Sequence, residues 1–155
     1  MADYNARVLP FINVVAYVTA KAGEYPGGGY HSGIDLSTGN NDPLYAMCDA
    51  EIIEKGFQVG GYGNYIIFKD LNSDYAFLYG HMKDPSPFIV GDRVTLNQQI
   101  GIEGATGNVT GIHVHVEMQN YVQNGNVWIH RGQDPSAWRN NIFTSYRLYA
   151  VFQMN

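Results

Sequence analysis

Hydrophobic and polar positions alternate along this chain in short runs, and clusters of Gly, Asn, Asp and Pro separate the runs. Alternation with a period of two marks a strand with one buried face. The strands predicted in this way are 11–19, 50–57, 64–69, 75–79, 93–95, 99–103, 112–119 and 127–130. "NYIIFKD" and "YAFLYGHM" read as a hairpin around Asn72 and Ser73. "VGDRVTLNQQIGIEG" reads as a strand, a turn at Asn97 and a second strand. Nowhere do apolar residues hold a helical period for three turns. One short helical turn is expected at "DPSAW", with Asp134 as cap and Pro135 at the first helical position. The pattern therefore predicts an all-β fold, mainly antiparallel, in two packed sheets or a flattened barrel.

Composition narrows the classes. A chain of 155 residues suits a single domain, 1–155, with a real core. Charged residues make up 15% and aromatics 14%, with 12 tyrosines, a balance that suits a β protein with a substrate groove. The net charge of −5, with no basic run, argues against nucleic acid as a partner. The single Cys48 excludes an intramolecular disulfide and a cysteine-based zinc cluster, and its apolar neighbours predict an inert buried thiol. The run "VLPFINVVAYVTA" is too short to span a membrane, so insertion is not expected. "MADYNAR" does not have the charge of a signal peptide's first segment. The expectation is export by another route, association with a virion, or an isolated domain.

The five histidines carry the chemistry. "GIHVHVE" puts His113 and His115 on one face of a strand, about 7 Å apart at roughly 3.4 Å per residue, with Val114 and Val116 on the other face. "YHSGIDLS" sets Asp35 four residues after His31, with Gly33 between to let the backbone turn. "LYGHM" leaves His81 at a strand end. Each feature alone also reads as polar surface. Together they supply what a catalytic zinc needs, three His or Asp/Glu ligands and an open position for water. His31, Asp35 and one member of the pair meet that count. The other member and His81 are then left as supporting groups or catalytic bases. His130, in "VWIHRGQ", reads as a loop or rim residue, and most tyrosines as packing residues with a wet hydroxyl. Gly27, Gly28 and Gly29 read as a flexible loop or as a place where substrate approaches the backbone.

The set "HSGID … YGHM … GIHVHVE" resembles the lysostaphin/LytM-type zinc metalloendopeptidases, which hydrolyse peptide bonds in bacterial peptidoglycan. "GEYPGGGYHSGIDLS", "GGYGNYIIFKD", "VGDRVTLNQQIGIEGATGNVTGIHVHVE" and "QDPSAW" are similar to further family segments, so the resemblance covers about 23–138. It implies an antiparallel β fold of the duplicated hybrid type, with a groove crossing the metal. It implies His31, Asp35 and His115 as ligands of one Zn2+ per chain, with His81 and His113 as catalytic histidines and Tyr25 near the oxyanion. Gly27, Gly28, Gly29, Tyr30, Thr106 and Asn108 are expected to meet substrate, since "YPGGGY" and "GATGNVTG" flank the site residues. The expected partner is peptidoglycan peptide, met outside the cell at the wall, in a larger wall-targeted or virion assembly. Both glycyl–glycyl cross-bridges and D-alanyl cross-links fit as the cleaved bond. The acidic charge departs from the many basic cell-wall hydrolases, and Val116 stands where an aromatic residue is common. Two other classes fit parts of the pattern. One is an inactive scaffold that binds wall peptides or activates another hydrolase. The other is a non-haem iron oxygenase with two histidines and a carboxylate.

Overall fold

The computed structural model describes residues 10–14, 16–20, 23–24, 30–125 and 127–133, with the backbone course alone at 23–24, 30 and 127–133. Every secondary-structure element in these residues is a strand. They are β1 (Tyr17–Ala20), β2 (Gly23–Glu24), β3 (Tyr30–His31), β4 (Ile34–Ser37), β5 (Pro43–Tyr45), β6 (Ala50–Gln58), β7 (Gly63–Asp70), β8 (Tyr75–Met82), β9 (Arg93–Val94), β10 (Gln99–Ile102), β11 (Val114–Asn124) and β12 (Val127–Gln133). The large sheet has the order β1-β4-β11-β8-β7-β6-β9, and β12 also pairs with β11. Two small sheets, β10-β5 and β2-β3, complete the set, and all the pairings are antiparallel. The expected all-β, antiparallel class holds.

Alternation explains the layers. Val114, Val116 and Met118 of β11 join Ile34 and Leu36 of β4, Phe77 and Tyr79 of β8, and Ile66 and Phe68 of β7 in the main core. Leu44 and Ile100 from the small β5–β10 sheet pack into the same cluster. Phe68 meets Tyr79 edge-on at 4.8 Å between ring centroids, the geometry favoured by aromatic quadrupoles. The other face of the same strands carries Ile67, Ala76, Leu78 and Tyr121, with Tyr62 and Tyr65 packed on them. His115, Glu117 and Gln119 alternate with the three core residues of β11 and so lie on this second face. Cys48 is buried and unpaired by disulfide, as its surroundings predict.

Several boundaries differ from the pattern-based reading. The expected strand 11–19 is a strand only from Tyr17; residues 10–14 run as bends. Asn13 sits at φ 57, outside β geometry, and the Pro10 carbonyl accepts the Tyr45 N–H at 2.7 Å. Phe11 is therefore a plug in the main core and not a strand residue. The β7–β8 hairpin forms as expected. Asp70 closes its turn, accepting from the Asn72 N–H and the Ser73 hydroxyl, both at 2.9 Å. Asn97 does turn the chain, at φ 70, but β9 and β10 join different partners, β6 and β5. The helical turn expected at Asp134 and Pro135 lies outside the described residues.

Gly33 has a role different from the expected tight turn. A Cβ built there would stand 2.2 Å from the Val116 carbonyl oxygen and 2.9 Å from its carbon. The bare backbone lets β4 lie against β11. We predict that Gly33→Ala destabilises the fold by about 1–3 kcal/mol, the usual cost of overpacking a rigid site. Urea unfolding measures it, and a midpoint equal to wild type would count against the close approach.

Candidate metal centre

The β4–β11 ladder sets His115 opposite Asp35, and the β11–β8 ladder sets His115 opposite Gly80. Asp35, His115 and the bare Gly80 thus form a row across three strands. His31 arrives from β3 at the edge of that row. The result is a triangle of donor atoms. Asp35 Oδ1 lies 3.1 Å from His31 Nε2 and 2.9 Å from His115 Nδ1, and the two ring nitrogens are 3.1 Å apart. Tetrahedral zinc, with bonds of about 2.0–2.2 Å, holds its donors about 3.3 Å apart. Two imidazole nitrogens and a carboxylate oxygen converging this closely can hold a cation between them. The donor set and spacing fit one metal ion, and this is the one such cluster among the described residues.

His81 and His113 stand beside the triangle. Their ring centroids are 4.8 Å apart, and His81 is 6.0 Å from His115. Strict alternation would send His81 into the core beside Tyr79. Instead its backbone adopts φ 61, a left-handed conformation that is uncommon for a residue with a side chain. The Tyr62 carbonyl holds this turn by accepting the His81 N–H at 2.6 Å. His81 Nδ1 lies 2.8 Å from the Thr106 carbonyl oxygen. A carbonyl only accepts, so Nδ1 donates and Nε2 keeps its lone pair. Burial lowers the His81 pKa to about 4, outweighing that hydrogen bond, so the ring is neutral near pH 7. His113 repeats the arrangement, with Nδ1 3.1 Å from the Gly111 carbonyl and Nε2 3.5 Å from Asp35 Oδ2.

A carboxylate lies behind His115. Glu117 Oε1 is 2.9 Å from His115 Nε2, and it accepts from the Ser32 hydroxyl at 2.6 Å and the Tyr62 hydroxyl at 2.5 Å. Gln119 Nε2 donates to Oε2 at 2.7 Å. Glu117 is fully buried. Burial raises its pKa, but the hydrogen bonds from His115, Ser32 and Tyr62 win and hold it at about 2. Burial likewise works against a charged His115, yet hydrogen bonds to Asp35 and Glu117, with their charges, raise it to about 9. Without metal, then, His115 is an imidazolium between two carboxylates.

The site opens into a cleft of about 390 Å³, whose walls include Ser32, Gln58, Gly61, Tyr62, Asn108 and Thr110. Asn108 is on the wall as expected. Thr106 has another place. Its hydroxyl donates to the Met82 carbonyl at 2.6 Å and accepts the Asn64 N–H at 3.1 Å, while its carbonyl orients His81. Tyr25, Gly27, Gly28 and Gly29 lie outside the described residues, as do the side chains of Tyr30 and His130; Tyr30 itself pairs with Glu24. Glu117 was missed as a site residue, and Tyr62, read as a packing or groove tyrosine, also holds Glu117. The signal for Glu117 was available, because it follows His115 by two positions on the same strand face.

With this geometry in hand, comparison with known proteins is decisive. Residues 29–128 match peptidase family M23. The chain belongs to that family. The metalloproteases of this family are metal-dependent, typically on zinc, which agrees with the donor triangle. The chain is 35% identical over 98 residues to the glycyl-glycine endopeptidase ALE-1 of Staphylococcus capitis, covering 61% of this chain and 27% of that protein. Its fold matches the catalytic domain of the prophage-encoded M23 protein EnpA from Enterococcus faecalis, with a TM-score of 0.64 at 27% identity over 78% of this chain and 89% of that one. It also matches the catalytic domain of lysostaphin from Staphylococcus simulans, with a TM-score of 0.63 at 27% identity over 76% and 89%. The chain spans only 18% to 27% of the length of the curated relatives it matches. No helix among the described residues is long and apolar enough to cross a membrane.

Of the shifted groups, His115 and Glu117 bracket a pH window for the metal-free M23 chain. A pKa raised on folding gives stability that is present below the ordinary value of 6.5 and lost as pH rises through about 9. The lowered pKa of Glu117 gives stability present above its ordinary 4.5 and lost as pH falls through about 2. We predict that in chelator the thermal midpoint declines between pH 6.5 and 9. Added zinc removes that decline, because the ligand form of His115 is the deprotonated one. A flat profile in chelator would argue against the protonated bridge.

Proposed function

We propose that this protein is a zinc endopeptidase that hydrolyses peptide bonds in bacterial peptidoglycan, in stem peptides or cross-bridges, at the wall outside the cell. The observation that carries the reading is the triangle of His31, Asp35 and His115 with His81 and His113 directed at the same cleft. The M23 family and the wall-lytic names of its relatives, a glycyl-glycine endopeptidase and a phage endolysin among them, support the substrate class.

In this reading His31 Nε2, Asp35 Oδ1 and His115 Nδ1 hold one zinc ion. Zinc in such a site supplies a water whose pKa falls to about 7, and it polarises a carbonyl. The chain's own groups do the rest. His113 and His81 each fix their Nδ1–H on a backbone carbonyl and turn Nε2 toward the cleft. A neutral imidazole in that state takes a proton from the attacking water and returns it to the leaving amine. His113, nearest to Asp35, is the better placed to take the first proton. His81 then serves the oxyanion or the leaving group, with Tyr25 as a further donor. Asn108 lies on the cleft wall, and Gly27, Gly28, Gly29 and Tyr30 are proposed as further contacts for an extended peptide, as backbone amides can be in strand addition. The uncharged polar groups of the cleft suit a neutral peptide main chain.

Single substitutions separate these roles. His31→Ala and His115→Ala are expected to lose zinc and wall hydrolysis together. His113→Ala and His81→Ala are expected to keep about one zinc per chain while kcat falls by roughly 10²–10⁴, the usual loss for a general acid–base group. Metal analysis, with mass spectrometry of the new termini in digests of peptidoglycans of different cross-bridge type, reads both. Loss of zinc in His113→Ala with retention in His115→Ala would reverse the assignment of the pair, and no new termini from any wall would overturn the reading.

A further inference from the structure

We propose that Glu117, held in place by Tyr62, is a positioning residue that selects Nδ1 of His115 for the metal and balances the charge there. This rests on the zinc reading above. An imidazole offers two nitrogens, and a 180° turn of the ring puts a carbon where each of them stood. In His115 both are already committed. Nδ1 stands 2.9 Å from Asp35 Oδ1 inside the triangle, and Nε2 stands 2.9 Å from Glu117 Oε1 behind it. A carboxylate only accepts when ionised, so it fixes the proton on Nε2 and leaves the Nδ1 lone pair for a metal. Turning the ring would break both contacts.

Glu117 itself has little freedom. Oε1 accepts from two hydroxyls as well as from His115, and Oε2 accepts from Gln119. Tyr62 contributes twice. Its ring stacks on the His115 ring, with 5.7 Å between centroids and 30° between planes, while its hydroxyl grips the carboxylate. The Tyr62 ring also lies over Gly80, where a Cβ would stand in ordinary contact with it at 3.4 Å. Charge points the same way. An ionised carboxylate with no exposure is costly unless a cation faces it. A divalent ion held by the triangle would supply two positive charges against the two negative ones of Asp35 and Glu117.

The test uses the whole chain as wild type, Glu117→Gln and Tyr62→Phe. Zinc affinity is measured by competition with a chromophoric chelator at pH 7, and the His115 Nε2–H is followed by ¹⁵N-histidine NMR of the zinc-loaded proteins. Glu117→Gln is expected to bind zinc about 10–100-fold more weakly and to show faster exchange of the Nε2–H. Tyr62→Phe removes one hydroxyl from the same carboxylate and is expected to weaken zinc by a smaller factor in the same direction. It also keeps the test open should Glu117→Gln fail to fold. A carboxylate that merely supports the fold would change the unfolding midpoint and leave zinc affinity and the Nε2–H unaltered; that result overturns the inference alone. Wild type without zinc affinity would overturn the zinc reading, and this inference with it.

Discussion

Asp35 and His115 face each other across the β4–β11 ladder, and the rest of the site depends on that register. Side chains in a strand alternate, so a shift of one residue would send both groups into the core and bring Val114 or Val116 to the surface. The register is held by burial on the opposite face, where Ile34, Leu36, Val114 and Val116 are all nearly inaccessible. It is also held by the contact at Gly33, where the β4 backbone comes too close to the Val116 carbonyl for any side chain. The same apolar residues that stabilise the sheet therefore place the polar ones.

Polar groups in such a place carry a cost, and the structure offsets it with hydrogen bonds. His31, His81, His115, Glu117 and Gln119 are all buried on or near this face. Each titrating group among them has a defined polar contact, and several contacts lie on backbone carbonyls or neighbouring strands. The left-handed backbone of His81 adds a local strain that the Tyr62 carbonyl and Thr106 hold in place. A residue that departs from its strand's alternation at this point is better explained by what its ring reaches than by the fold, because the fold alone would favour a buried apolar residue after Tyr79.

Much of this was legible in the sequence, for identifiable reasons. Period-two alternation located the long strands β6, β7, β8 and β11 to within a few residues, and it put His113 and His115 on one face. It did not reveal β3, β4 and β5, which have two to four residues each, too few for a pattern to stand out. His31 and Asp35 were for that reason expected on either side of a turn at Gly33, although β4 alternates cleanly, with Ile34 and Leu36 inward. The run at 11–19 misled because residues 10–14 bend and Phe11 reaches the core from outside any strand. Thr106 looked like a substrate contact by its glycine neighbours, and only the folded chain shows its hydroxyl and carbonyl engaged with Met82, Asn64 and His81. Glu117 was visible but unassigned, since nothing in one strand's pattern says that its carboxylate curls back to the preceding histidine.

The two histidines of "GIHVHVE" differ in a way that their spacing hides. His115 lies inside the ladder, with Asp35 on one side and Gly80 on the other, and its ring is packed by Tyr62. His113 lies just before the strand, joined by one isolated bridge to Gly104, and its ring is partly open to the cleft. A ligand must hold one orientation to within a fraction of an ångström, so it belongs on a paired strand with both ring nitrogens engaged. A proton carrier must reach a reacting atom and exchange its proton with solvent, so it belongs at the rim with one nitrogen free. Position in the sheet, more than residue type, is what divides the labour proposed for this pair.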